Sequence, residues 1–132
     1  MATRSSISIK TPEGKYRSIY CHWDGYPSYV GRVLKEDYKE VDKINRLIDL
    51  GDISSLREEV ETDQPHSYDT PVNNVTVAYG RDRGETDVEF KIFENIEDIK
   101  KWYNDSEYHY VYDEGWKLIS RGKLVEYDEN ED

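Results

Sequence analysis

Apolar and polar residues alternate at the start of the chain, where Ile7 and Ile9 are interleaved with Ser6 and Ser8. A second alternating run covers 16–23, and Thr11-Pro12-Glu13-Gly14 between the two is turn chemistry. A period of two bounded by Gly and Pro predicts a β-hairpin near 5–23. In its second strand Ile19, Cys21 and Trp23 share one face, which the pattern assigns to the core, while Tyr20 and His22 share the other. Asp24-Gly25-Tyr26-Pro27 then interrupts the strand.

From Ser28, a residue suited to capping, the period becomes helical. Val30, Val33, Leu34 and Tyr38 form one stripe, and Val41, Ile44, Leu47 and Ile48 form a second that stops at Gly51. These stripes predict two helices near 28–50, packed as a pair on the sheet. Ile53 and Leu56 follow as a half-buried turn, and residues 57–74 read as a long polar loop. Alternating runs at 75–79 and 88–92 flank a glycine-bounded segment and predict a second hairpin near 75–92. Asn95 caps a helix near 95–104 whose Ile96, Ile99, Trp102 and Tyr103 share a face. Three short strands, the last two joined by Arg121-Gly122, make further hairpins near 107–127. The expected fold class is α+β: a mostly antiparallel sheet with the helices near 28–50 and 95–104 packed on one face. A single domain spans 1–127, and the acidic stretch 128–132 is expected to be a disordered tail.

Composition adds two facts. The chain of 132 residues carries a formal net charge of -11 and twelve tyrosines. Neutralising phosphates requires a Lys/Arg surplus, so direct binding to nucleic acid is not expected. An acidic chain is instead steered toward basic protein surfaces, and tyrosine is enriched where proteins meet. With Cys21 alone, no internal disulfide forms. The opening residues show neither a signal peptide nor a membrane anchor, which points to the cytoplasm and to no membrane partner.

Several residues invite chemistry. Cys21, His22 and Asp24 suggest a nucleophile and a base, but neighbouring strand residues face opposite ways, and a cysteine on the apolar face is a small hydrophobe. His22, Asp24, His66, Asp69, His109 and Asp113 are metal-ligand types without paired ligand spacing, so no metal and no cofactor is implied. Arg81-Asp82-Arg83 is a compact basic loop that either clamps an anion or pairs internally with its own acids. Tyr108, Tyr110 and Tyr112 line one face of a strand flanked by acids, which suits core packing or a protein-binding face.

The segments "YCHWDGYPSYVGRVLKEDY", "VDKINRLIDLGDISSL" and "VTVAYGRDRGE" together resemble a widespread group of small bacteriophage and prophage proteins that share the CHWDGYP strand-to-helix motif. The resemblance covers roughly the first 85 residues and implies no enzymatic activity. It implies a phage-encoded inhibitor of a host defence system, of the anti-CRISPR or anti-restriction type. Such a protein would bind a basic host protein, acting as a nucleic-acid mimic, in the host cytoplasm. A small-ligand or nucleotide sponge is the first alternative, with Arg81 and Arg83 holding phosphates. A metal-dependent hydrolase using His22, Asp24 and His66 is the second. Tyr20, His22, Tyr26 and Tyr29 are left over once the corner is assigned to structure, and they form the candidate partner-binding patch together with Arg81, Asp82 and Arg83.

Overall fold

The computed structural model describes residues 2–130. Strands β1 (Ser5–Lys10) and β2 (Tyr16–Cys21) form the expected antiparallel hairpin, with Ile7 opposite Ile19. A π-helical turn at Pro27–Gly31 leads into α1 (Arg32–Asp37), and α2 (Val41–Asp49) follows after a short break. Then come β3 (Ile53–Ser55), β4 (Val77–Ala78), α3 (Tyr79–Arg83), β5 (Lys91–Phe93) and α4 (Ile96–Trp102). The meander β6 (Tyr108–Tyr112), β7 (Trp116–Ser120) and β8 (Lys123–Val125) ends the fold. Arg121 and Gly122 both adopt positive φ between β7 and β8, as a tight primed turn requires.

Among the described residues the strands make one sheet in the order β4-β3-β2-β1-β6-β7-β8, with β5 paired to β2 beside β3. The β1–β6 and β2–β3 pairs are parallel and the others antiparallel, so the fold is α+β with a mostly antiparallel sheet.

The helices do not share one face of that sheet. Helices α1 and α2 close over Ile7, Ile9, Ile19, Cys21 and Tyr110. Helix α4 packs Ile99 and the following Tyr103 against Tyr16 and Val111, which point the other way. The reason lies in the serines. Ser8 and Ser18 are cross-strand partners sharing a 2.5 Å hydrogen bond, and Ser6 bonds the Nδ1 of its partner His109 at 2.9 Å. Paired in this way, small polar side chains regain on burial the hydrogen bonds they give up to water, and the second face can carry a helix.

The segment 75–92 is not a hairpin. Strand β4 pairs with β3, the chain winds into α3 and stops at Gly84 with φ 75°, and β5 crosses to lie antiparallel on β2, Phe93 opposite Tyr16. Side chains cause the difference. The Asp82 carboxylate accepts the Ala78 N–H at 2.8 Å, and Arg81 reaches back to the Thr76 and Val60 carbonyls, which coils residues the alternation would extend. Of the tail expected at 128–132, residues 131 and 132 lie outside the described residues; the Asn130 N–H bonds the Asp128 carboxylate at 2.8 Å in a local turn.

Candidate functional site

Strand β2 ends at Cys21, but the chain still follows β3: the His22 N–H bonds the Ile53 carbonyl at 3.2 Å and the Trp23 N–H bonds that of Ser54 at 3.0 Å. Asp24 then takes a left-handed conformation, φ 59°, and turns the chain. Positive φ therefore falls on Asp24, a residue type that tolerates it. Gly25 is required for another reason. A Cβ there would stand 2.8 Å from the Ser5 Cβ and 2.9 Å from the Thr3 carbonyl oxygen, to which the Gly25 N–H donates. Pro27 opens the π-helical turn, and the Gly31 N–H reaches back to Tyr26 across the wide ring.

Irregular chain leaves carbonyls without ladder partners, and four tyrosines supply them with donors. Tyr110 Oη donates to Gly25 at 2.7 Å, Tyr127 to Gly31 at 2.8 Å, Tyr29 to Leu56 at 2.9 Å and Tyr38 to Arg57 at 2.7 Å. Burial pushes these phenols above their ordinary range, so they stay protonated donors. Much of the tyrosine surplus is thus internal carpentry. The Tyr108–Tyr112 stripe belongs to the core, with Tyr110 fully buried.

Tyr29 is part of this scaffold, since it also accepts a 2.7 Å hydrogen bond from Arg57. Tyr26 is half-buried and donates to the Asp24 carboxylate at 3.3 Å. Tyr20 and His22 do share a face, joined by a 2.7 Å hydrogen bond between Oη and Nδ1. Trp23 is the surprise. Its ring is 43% exposed rather than in the core, and it sits edge-on to the His22 ring at 4.7 Å. Strand β2 ends at Cys21 and Trp23 lies in the bend beyond it, so the alternation that would bury the indole no longer holds. Burial, then the Arg4 charge, holds His22 below its ordinary value, so the imidazole is neutral at neutral pH. Tyr20 is pushed up to about 12, chiefly by burial. Tyr20, His22 and Trp23 therefore present an uncharged aromatic cluster half open to solvent.

The basic loop is a closed network. Arg81 donates to Val60, Thr76 and both Asp82 carboxylate oxygens. Asp82 also faces His66 Nε2 at 3.2 Å, with both side chains nearly inaccessible. His66 Nδ1 accepts the Val72 N–H at 2.9 Å, so Nε2 carries the proton in the neutral ring. Burial raises the Asp82 carboxyl, but Arg81, the Ala78 amide and His66 outweigh it and hold the group below its ordinary value. Arg83 is exposed; its guanidinium lies 4.6 Å from the Tyr68 ring, and Tyr68 stacks on Tyr79.

Within the hydrolase set His22, Asp24 and His66, the last is taken up by the fold. Both His66 nitrogens are engaged internally, and Cys21, pushed up to about 12 chiefly by burial, is a protonated thiol. His109 is bonded to Ser6, and Asp113 pairs with Lys10 at 3.6 Å. Among the described residues, no group of three or more His, Cys, Asp or Glu is gathered as a metal site, and no helix is long and apolar enough to cross a membrane.

Sequence reasoning missed further open apolar side chains besides Trp23, among them Val41, which the α2 stripe would bury and which is 48% exposed. Trp102 and Ile92 are 59% and 58% exposed and line one cleft between α4 and β5. Trp102 lies at the margin of the Ile96–Ile99–Tyr103 stripe, three residues past its centre, and that offset was the available signal. No protein-family model, curated protein or solved structure matches the chain.

Proposed function

We propose that this chain is a non-enzymatic, acidic interaction protein: a phage-type inhibitor of a host defence system that acts by binding a host protein with a basic surface. The observation that carries the reading is the exposed Trp23, backed by His22 and Tyr20, on a chain of net charge -11. Trp and Tyr dominate binding energy where they are anchored on a firm base, and the corner beneath Trp23 is held by the Tyr110 and Tyr127 hydroxyls. Carboxylates steer the encounter and stand in for phosphates in a nucleic-acid groove of the partner, while the aromatic cluster supplies contact area. The resemblance of the CHWDGYP stretch to phage proteins supports the same reading, and with it action in the host cytoplasm.

Affinity capture from a bacterial lysate, with wild-type protein and Trp23→Ala side by side, tests this. A basic protein should be retained by the wild type at low salt, released at about half-molar salt as screening shortens to a few ångströms, and held poorly by Trp23→Ala. Equal retention by both proteins through molar salt would overturn the reading.

A further inference from the structure

Far from the corner along the sheet, the turn after β1, the turn after β6 and the first turn of α2 enclose a groove of about 580 Å³. Its apolar surface comes from Ile9, Pro12, Val41 and Tyr112. Ile9 is buried floor, whereas Val41 is 48% exposed at the first position of α2, where a helix of mixed polarity has no packing reason to hold valine. The Tyr112 ring is fixed edge-on against Trp116 at 5.3 Å.

The charges of the groove are unequal. Lys10 is paired with Asp113 at 3.6 Å. Arg17 donates to Asn45 and Asp49 and lies 4.2 Å from the Phe90 ring centre. Both cations are therefore committed. The two exposed rim carboxylates, Glu13 and Glu114, make no ion pair among the described residues. An apolar trough whose exposed lining carries two unpaired carboxylates matches a long side chain with an aliphatic stem and a cationic head.

We infer that this groove seats a lysine or arginine side chain of an extended basic segment on the protein partner, an inference that rests on the reading of the chain as a binder of basic proteins. The stem lies along Val41, Pro12 and Tyr112, and the head meets Glu13 and Glu114.

The test is a titration of isotope-labelled protein with the blocked peptide acetyl-Leu-Arg-Leu-Arg-amide, followed by amide chemical shifts at low salt. Glutamine-for-arginine peptide and spermidine serve as separate arms. Saturable shifts should gather at Glu13, Val41, Asn45 and Glu114, be absent with the glutamine peptide, and be weaker with spermidine, which lacks the apolar side chains. Glu13→Gln with Glu114→Gln should weaken the peptide by about threefold or more, and Val41→Ser by a similar factor, with melting temperatures unchanged because all three side chains are exposed. Shifts centred on Tyr20–Trp23 instead would overturn the groove while leaving the basic-partner reading standing. Equal binding of spermidine or of the glutamine peptide would also overturn it. No binding of the arginine peptide anywhere would bring down both.

Discussion

Removing one hydroxyl from the core should cost more than its size suggests. Tyr110 is fully buried, and its Oη donates at 2.7 Å to the carbonyl of Gly25, itself buried at a corner where no strand can pair with it. Tyr110→Phe keeps the ring and its packing but leaves that carbonyl without its donor. A buried polar group stripped of its partner costs about 1–3 kcal/mol. Tyr127→Phe makes the same change at Gly31, but Tyr127 is only half-buried and water can replace the lost donor, so about 0.5–1 kcal/mol is expected there. Urea unfolding of both variants and the wild type, read from the shift in midpoint at constant slope, gives the two values. If Tyr110→Phe falls within about 0.5 kcal/mol of wild type, or costs less than Tyr127→Phe, the tyrosines are not satisfying corner carbonyls and the account of their abundance is wrong.

Other consequences follow. Gly51 has φ +80°, and a Cβ there would lie 2.2 Å from the Val88 oxygen, so Gly51→Ala should destabilise by about 2–4 kcal/mol; a wild-type melting temperature would refute the contact. Gly25→Ala, meeting Ser5 and Thr3 with no φ penalty, should cost less, about 1–3 kcal/mol in the same assay. His109 is 6% exposed, and burial pushes it down to about 4 from 6.5, so the unfolded chain binds the proton first as pH falls. Its contribution is whole above pH 6.5 and lost on descending to about 4, up to about 3 kcal/mol; His109→Gln should flatten stability against pH in that window, and an unchanged slope would refute it. Trp23→Ala should cost less than about 1.5 kcal/mol by urea unfolding, because the ring is 43% exposed; a loss of about 3 kcal/mol would return the indole to the core.

Local periodicity carried much of the fold. The alternation at Ile7 and Ile9 and again at Ile19 and Cys21, the Arg121-Gly122 turn and the α2 stripe are all visible in the sequence, since each depends on neighbours up to four residues away. What stayed hidden depends on distant partners. Serines at 6, 8 and 18 look solvent-facing until Ser18 and His109 arrive to bond them, which is why the second buried face and the place of α4 could not be read. Asp82 and Arg81 turn 75–92 into a helical bend through Ala78, Thr76 and Val60, a capping pattern that alternation masks. In the candidate patch, the alternation puts Tyr20 and His22 on one face, and a 2.7 Å hydrogen bond joins them there. Tyr29 looks like surplus only until Leu56 and Arg57, 27 and 28 residues away, engage its hydroxyl.

Under the proposed function, the acidic chain and its firm aromatic anchor occupy a basic, nucleic-acid-binding surface on a protein. The most direct test is the affinity of the captured partner as a function of salt, with and without competing duplex DNA. The account predicts a dissociation constant that rises steeply with ionic strength, and mutual exclusion between the chain and the duplex. A salt-independent constant, or a ternary complex in which DNA and the chain are bound together, would contradict it.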